Sequence, residues 1–171
     1  MKFDIYGPYQ IPRGNKGTII DGRKFWSDFE NPKLARACGC YVFAISASGS
    51  YRPWYVGKTE TTFKSEALHD NKIKIYNRVL DKRTKGIPVL FLLPLMANQG
   101  KFSKAKDPAI LGLEDILISQ AIARNPEAEN SRGTKMLRGI EVVGFMNTSG
   151  RAKNSALALR KTFGMKKAFG S

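Results

Sequence analysis

Residues 40–45 (Cys-Tyr-Val-Phe-Ala-Ile) and 54–57 (Trp-Tyr-Val-Gly) are two short apolar runs separated only by a polar stretch, 46–53, that carries glycine and proline. Short runs rich in aromatic and β-branched residues and bounded by turn formers read as strands, so the chain is committed here to a β-hairpin. Each arm carries a tyrosine at a defined place. Gly39-Cys40-Tyr41 opens the first arm, and Tyr55-Val56-Gly57-Lys58 closes the second. Alone, either triplet is a weak signal, because any aromatic-rich hairpin can contain one.

The rest of the chain arranges itself around that hairpin. Residues 11–22 are turn-rich, and a short helix is expected around 26–37. After a threonine-rich connector, residues 63–80 carry Ile73, Tyr76, Val79 and Leu80 near the helical period, and Gly86 and Pro88 end that region. The apolar run 87–97 is interrupted by Pro88 and Pro94 and is far too short to span a bilayer, so 89–95 reads as a buried strand. A polar loop over 98–107 leads to Pro108, which opens a helix over 109–124 that Asn125-Pro126 stops. A last strand is expected over 140–146 and a basic helix over about 153–163.

With 171 residues, 42% of them apolar, the chain fits a single domain, 1–171, with a core of its own. Its charge is less ordinary: 29 Lys and Arg stand against 14 Asp and Glu, a formal +15. A surplus of that size on a small domain favours a polyanionic partner, nucleic acid being the usual one. No amphipathic membrane anchor stands out, so a membrane partner is not expected. Residues 1–8 lack the basic-then-apolar layout of a secretory signal, and the reading is a cytoplasmic protein. Cys38 and Cys40 lie two apart, on one side of a strand, and read as reduced packing residues. With His69 the only histidine, a zinc site lacks ligands.

Glu114 is the residue that a purely structural reading handles worst. Ile110 and Leu111 stand one turn before it and Leu117 and Ile118 one turn after, which puts a carboxylate on the apolar face of its helix. A charge there is costly unless it meets a cation or hydrogen-bond donors, so it is either half of a structural ion pair or a metal ligand. Its neighbour Asp115 falls on the polar side.

In these features the chain resembles the GIY-YIG endonuclease superfamily, over roughly residues 38–130. The features are Gly39-Cys40-Tyr41, Tyr55-Val56-Gly57-Lys58, Tyr76, Glu114 and Asn130, in the family's order. The resemblance implies an α+β fold whose core is a small three-stranded, mostly antiparallel sheet flanked by helices. Residues 1–37 are then an N-terminal extension and 131–171 a C-terminal strand and basic helix, additions that bind DNA or set the assembly state. It implies that Glu114 holds a single Mg²⁺ or Mn²⁺, that Tyr41 helps deprotonate water and that Tyr55 orients the water or the phosphate. Lys58 offsets transition-state charge, and Asn130 supports the site through its amide, although an asparagine in 125–130 is equally a turn residue. The product would carry a 5′-phosphate and a 3′-hydroxyl.

One departure matters. The family's arginine, expected on a helix shortly after the second triplet, is missing, since no arginine occurs between Arg52 and Arg78. Lys72, four residues before Tyr76 and so on the same helical face, is one substitute; Arg78 is a second and Lys64 a third. Lysine neutralises phosphate but lacks the bidentate fork of arginine, which lowers or abolishes activity. The implied function is therefore metal-dependent hydrolysis of double-stranded DNA, with a catalytically weak or inactive nucleic-acid-binding module as the alternative. An RNA-binding protein without enzymatic ancestry is a third reading, one that leaves Glu114 unexplained.

Overall fold

The fold, in a computed structural model, is α+β, and it describes residues 1–82, 85–97, 100–103, 106–130, 141–146, 152–166 and 168. The expected hairpin is its centre. β3 (Gly39–Ala47) and β4 (Ser50–Thr59) pair antiparallel across their full length. The turn is tighter than the 46–53 stretch predicts, because only Ser48 and Gly49 lie between the strands, with φ of 49° and 74°. Two consecutive positive φ values make the two-residue hairpin turn whose twist matches that of the strands, and glycine supplies one of them without strain. Pro53 stays inside β4, where a proline is tolerated because the strand pairs on one side only.

The sheet has five strands, not three. β5 (Ile87–Met96) lies along the other side of β3, antiparallel to it. Its outer edge is covered in turn by β1 (Lys2–Phe3) and β2 (Tyr6–Gln10) from the chain's first residues. The extra strands were hidden because they are two and five residues long and interrupted by Gly7 and Pro8, which read as turn residues. The short helix expected around 26–37 becomes two, α1 (Gly22–Ser27) and α2 (Pro32–Ala35). The helix expected over 63–80 is also two, α3 (Phe63–Glu66) and α4 (Asp70–Lys82). α5 (Pro108–Arg124) and α6 (Asn154–Thr162) match their expected places, with Asp107 capping α5 by accepting from Ala109 N at 2.8 Å. The strand expected over 140–146 is not there: Ile140 lies outside the described residues, and 141–146 is a turn closed by a single Val142–Met146 bridge.

Side-chain alternation divides the sheet into two faces. Tyr41, Phe43 and Ile45 point into a large core closed by α1, α2 and α4, which contribute Phe25, Trp26, Leu34, Tyr76, Val79 and Leu80. Cys38, Cys40, Val42 and Val56 point the other way, onto α5. α5 meets that face with Ile110, Glu114, Ile118, Ala121 and Ile122, a buried stripe at helical spacing. Among the described residues, no helix is long and apolar enough to cross a membrane.

Candidate functional site

The two triplets interlock, and the interlock explains their glycines. In the hairpin register Tyr41 sits opposite Gly57. The Tyr41 ring lies across the glycine, so that a Cβ there would stand 2.5 Å from the phenolic oxygen and nearer still to the ring. Gly39 has a φ of 150°, and its missing side chain leaves room for the β5 backbone at Leu93 and Pro94. The pattern of glycine and tyrosine is thus first a packing solution: one tyrosine ring takes the space that the opposite strand vacates.

Tyr55 lies on the same face by ordinary alternation, opposite Phe43 and two residues from Gly57, and a bulge adjoins it. Phe43 pairs with Tyr55 and Ala44 with Pro53, leaving Trp54 as the extra residue. The Tyr41 and Tyr55 rings lie 6.4 Å apart, and Tyr55 meets Tyr76 edge-on at 5.8 Å. Tyr76 stacks on Phe43 at 4.1 Å and donates its hydroxyl to Ala67 O at 3.0 Å, so it is a wall of the cluster with its polar end already used.

The helix cations separate clearly. Lys72 places its ammonium 5.5 Å from the centre of the Tyr55 ring and pairs with Glu66 at 3.4 Å. Burial pulls its pKa down, but the Tyr55 hydroxyl and Glu66 outweigh burial and raise it, so Lys72 is held charged. Arg78 turns away to Glu129, at 3.2 Å, which Lys82 also holds, at 3.1 Å. Lys64 is exposed on α3. Of the three candidates only Lys72 joins the tyrosines. Lys58, opposite Cys40 in the register, pairs with Glu60 at 2.5 Å, and Lys106 holds the other oxygen of that carboxylate at 3.4 Å.

Glu114 is 8% exposed and approaches from the opposite side of the sheet. Its charge is felt on both faces. Burial first, then Glu114, pushes the Cys40 thiol up to about 12, with Lys58 acting in the other direction. Tyr41 is wholly buried, and burial lifts its phenol far above the ordinary value, helped by Tyr76, Tyr55, Glu66 and Glu114. Its hydroxyl has no hydrogen-bond partner among the described residues. Near neutral pH Tyr41 is therefore a proton donor, and it becomes a base only when positive charge is brought to its oxygen.

Asn130 is a buried clamp. Its amide accepts from Val56 N at 2.9 Å and donates to Val56 O at 2.7 Å, satisfying both backbone groups of the residue between Tyr55 and Gly57. Upstream, Asn125 donates to Pro53 O at 2.7 Å and Glu129 N to Trp54 O at 2.8 Å. Residues 125–130 thereby cover the open edge of β4, a common protection for an edge strand.

Two residues escaped the sequence reading. Glu66 holds Lys72 and raises Tyr41 and Tyr76, and Asn125 also accepts from Arg52 at 2.8 Å. Thr62 accepts from Ser65 N at 3.1 Å as an N-cap, a signal that would have started a helix at Phe63 and placed Glu66 in its first turn.

The residues brought together are Tyr41, Tyr55, Lys72 and Tyr76, whereas Glu114 lies on the other face of the sheet. Asn130 stands behind them, and Arg78 does not join them. Among the described residues no three His, Cys, Asp or Glu side chains gather as a metal cluster. One carboxylate completed by water and phosphate oxygens is nonetheless an ordinary magnesium donor set. Glu114 therefore fits a divalent ion of that kind. No protein-family model, curated protein or solved structure matches the chain.

Proposed function

We propose that the protein is a divalent-metal-dependent nuclease of the GIY-YIG kind, hydrolysing phosphodiester bonds of double-stranded DNA at the Tyr41, Tyr55, Lys72 and Glu114 cluster. The observation that supports this reading is the meeting of side chains from β3, β4 and α4 on one face of the sheet, with the α5 carboxylate against the other face. Two tyrosine rings lie 6.4 Å apart, a lysine ammonium lies over one of them, and a buried carboxylate biases the other. A closed apolar core needs none of the last three groups, and burying polar groups costs stability. The formal charge of +15 suits a polyanionic substrate.

Glu114 would hold a Mg²⁺ or Mn²⁺, which supplies Lewis-acid polarisation of a phosphate oxygen. Tyr41 would donate to a phosphate oxygen through its hydroxyl, and it would take the proton of an attacking water only with positive charge at its phenolic oxygen. Tyr55 orients the same group, and its position depends on the Asn130 clamp at Val56. Lys72, kept protonated by Tyr55 and Glu66, offsets the charge that builds on the phosphoryl oxygens. Lys58 reaches the substrate only by leaving Glu60.

A second reading has its own support. With Tyr41 wholly buried and lysine in place of arginine beside Tyr55, the same fold serves as a weak or inactive nucleic-acid-binding module. The experiment is incubation with duplex, branched and RNA substrates in Mg²⁺ or Mn²⁺, for the parent protein and Glu114→Gln. The nuclease reading predicts metal-dependent cleavage by the parent, lost in the variant with DNA affinity retained. Cleavage by Glu114→Gln at the parent's rate would remove the metal assignment, and a parent that cuts nothing would leave the binding module.

A further inference from the structure

A second basic site lies apart from the tyrosines. Pro32, Lys33 and Arg36, in and after α2, face Gly100, Lys101 and Phe102 across a groove of about 660 Å³. The two walls are tied together: Cys38 N donates to Ser103 O at 3.4 Å, Ser103 N donates to Leu95 O at 2.8 Å, and Phe102 bridges Met96. Phe102 is fixed from behind by the Tyr6 ring at 5.6 Å, edge to face. Lys33, Arg36 and Lys101 are all exposed, and none of the groove's lining residues is acidic.

Each of these features has a cost unless something anionic enters. Three like charges around one concavity repel each other, and no carboxylate among the lining residues relieves them. By contrast Lys58, Lys72, Arg78, Lys82 and Lys106 each have an acidic partner. The half-buried Phe102 adds an apolar ring held at a fixed angle. A cationic groove with a fixed aromatic on its wall is the combination that binds single-stranded nucleic acid, where cations follow the phosphates and a base stacks on the ring. A duplex, roughly two nanometres across, is too wide to enter a depression of this volume, whereas one strand with an unstacked base fits.

We propose that this groove binds a single-stranded segment of nucleic acid, with Lys33, Arg36 and Lys101 on its phosphates and Phe102 against a base. The proposal rests on the nucleic-acid part of the functional reading but on none of its chemistry. The groove begins two residues before Cys38, at the end of the sheet where β3 starts. A strand held there is a way of choosing substrates with an unpaired tail or flap.

The test is fluorescence anisotropy with a labelled twenty-nucleotide oligothymidine and with a blunt duplex of equal length, at several salt concentrations. It compares the parent with Lys33→Gln/Arg36→Gln/Lys101→Gln, with Phe102→Leu, and with a control, Lys74→Gln/Lys85→Gln/Arg124→Gln, that removes the same charge from exposed positions outside the groove. Circular dichroism melts confirm that each variant is folded. If each groove cation makes one phosphate contact, the groove variant has a log–log salt slope shallower by about 2, and about 100-fold weaker oligothymidine binding near 0.1 M salt. The control and the duplex change far less, and Phe102→Leu weakens oligothymidine binding with its salt slope unchanged. Unaltered oligothymidine binding by the groove variant overturns the proposal, as does an equal loss on the duplex or in the charge control. A parent that binds oligothymidine through the groove but cleaves nothing would refute the nuclease reading alone.

Discussion

The two faces of the central sheet are built for different work. The face under α1, α2 and α4 is aromatic and carries hydroxyl groups: Tyr41, Phe43, Tyr55 and Tyr76 lie against one another there, with Lys72 over the outermost ring. The face under α5 is aliphatic and sulfur-lined, with Cys38, Cys40, Val42 and Val56 against Ile110 and Ile118, and one carboxylate set into the helix stripe. One side therefore holds the proton donors and the cation, and the other holds the candidate metal ligand. Gly57 lies on the aromatic face, directly opposite Tyr41, and the tyrosine ring occupies the room its side chain would take. The comparison teaches that the triplets matter less as strings than as a way of seating a tyrosine ring on one face of the sheet, with the carboxylate left on the other.

The largest expected effect breaks that seat. Gly57→Ala drives a Cβ into the Tyr41 ring and is expected to cost about 3 kcal/mol in urea unfolding, in the upper range for overpacking a tight core. A cost below 1 kcal/mol would show that the ring moves aside easily and that the interlock is not a constraint. The aromatic face is tested separately on one helix. Lys72→Ala is expected to lower the single-turnover cleavage rate about 100-fold, the scale of losing a transition-state charge partner, with DNA affinity little changed. Arg78→Ala, at the Glu129 pair, should stay within about twofold on the same scale. The reverse ranking would move the site off the tyrosine face.

The smallest change in stability is expected at Tyr41. Tyr41 keeps a buried hydroxyl with no hydrogen-bond partner among the described residues, so Tyr41→Phe is expected to hold or raise stability by about 1 kcal/mol while slowing cleavage. A change that stabilises while it disables marks a group retained for function. The same phenol gives a pH dependence of known sign. Its pKa is raised by burial above the unfolded value of 10.0, as is that of Tyr76. Folding therefore binds protons relative to the unfolded chain at high pH. The stabilisation is complete below about pH 10 and is lost as pH rises further, at about 1.4 kcal/mol per pH unit for each tyrosine held neutral. Urea midpoints between pH 8 and 11 should fall less steeply in Tyr41→Phe than in the parent.

Much of this was legible in the sequence because it lay in local patterns. The hairpin followed from two apolar runs and a glycine turn, the burial of Glu114 from its spacing to Ile110 and Ile118, and the Lys72–Tyr76 face from a four-residue step. What stayed hidden depended on partners far away in the chain. β1 and β2 are strands only because β5 offers them an edge. The bulge that leaves Trp54 as an extra residue beside Tyr55 appears only in the register with Phe43 and Ala44. The state of Tyr41 could not be read from residue type, because burial sets it first, then Tyr76 and Tyr55, and after them Glu66 and Glu114. The rival claims of Lys72 and Arg78 were separated by where Glu66 and Glu129 stand.

The central claim is that groups on opposite faces of one sheet form a single site, and a double-mutant cycle on cleavage addresses it without intermediaries. Single-turnover rates are measured for the parent, Tyr41→Phe, Glu114→Gln and the double variant, on the substrate the parent cuts best and with Mg²⁺ in excess. Residues that act as one unit are strongly non-additive, so the double variant should be scarcely slower than Glu114→Gln alone. Losses that simply multiply would mean that Tyr41 and Glu114 work independently, and the account of a shared site across the sheet would be wrong.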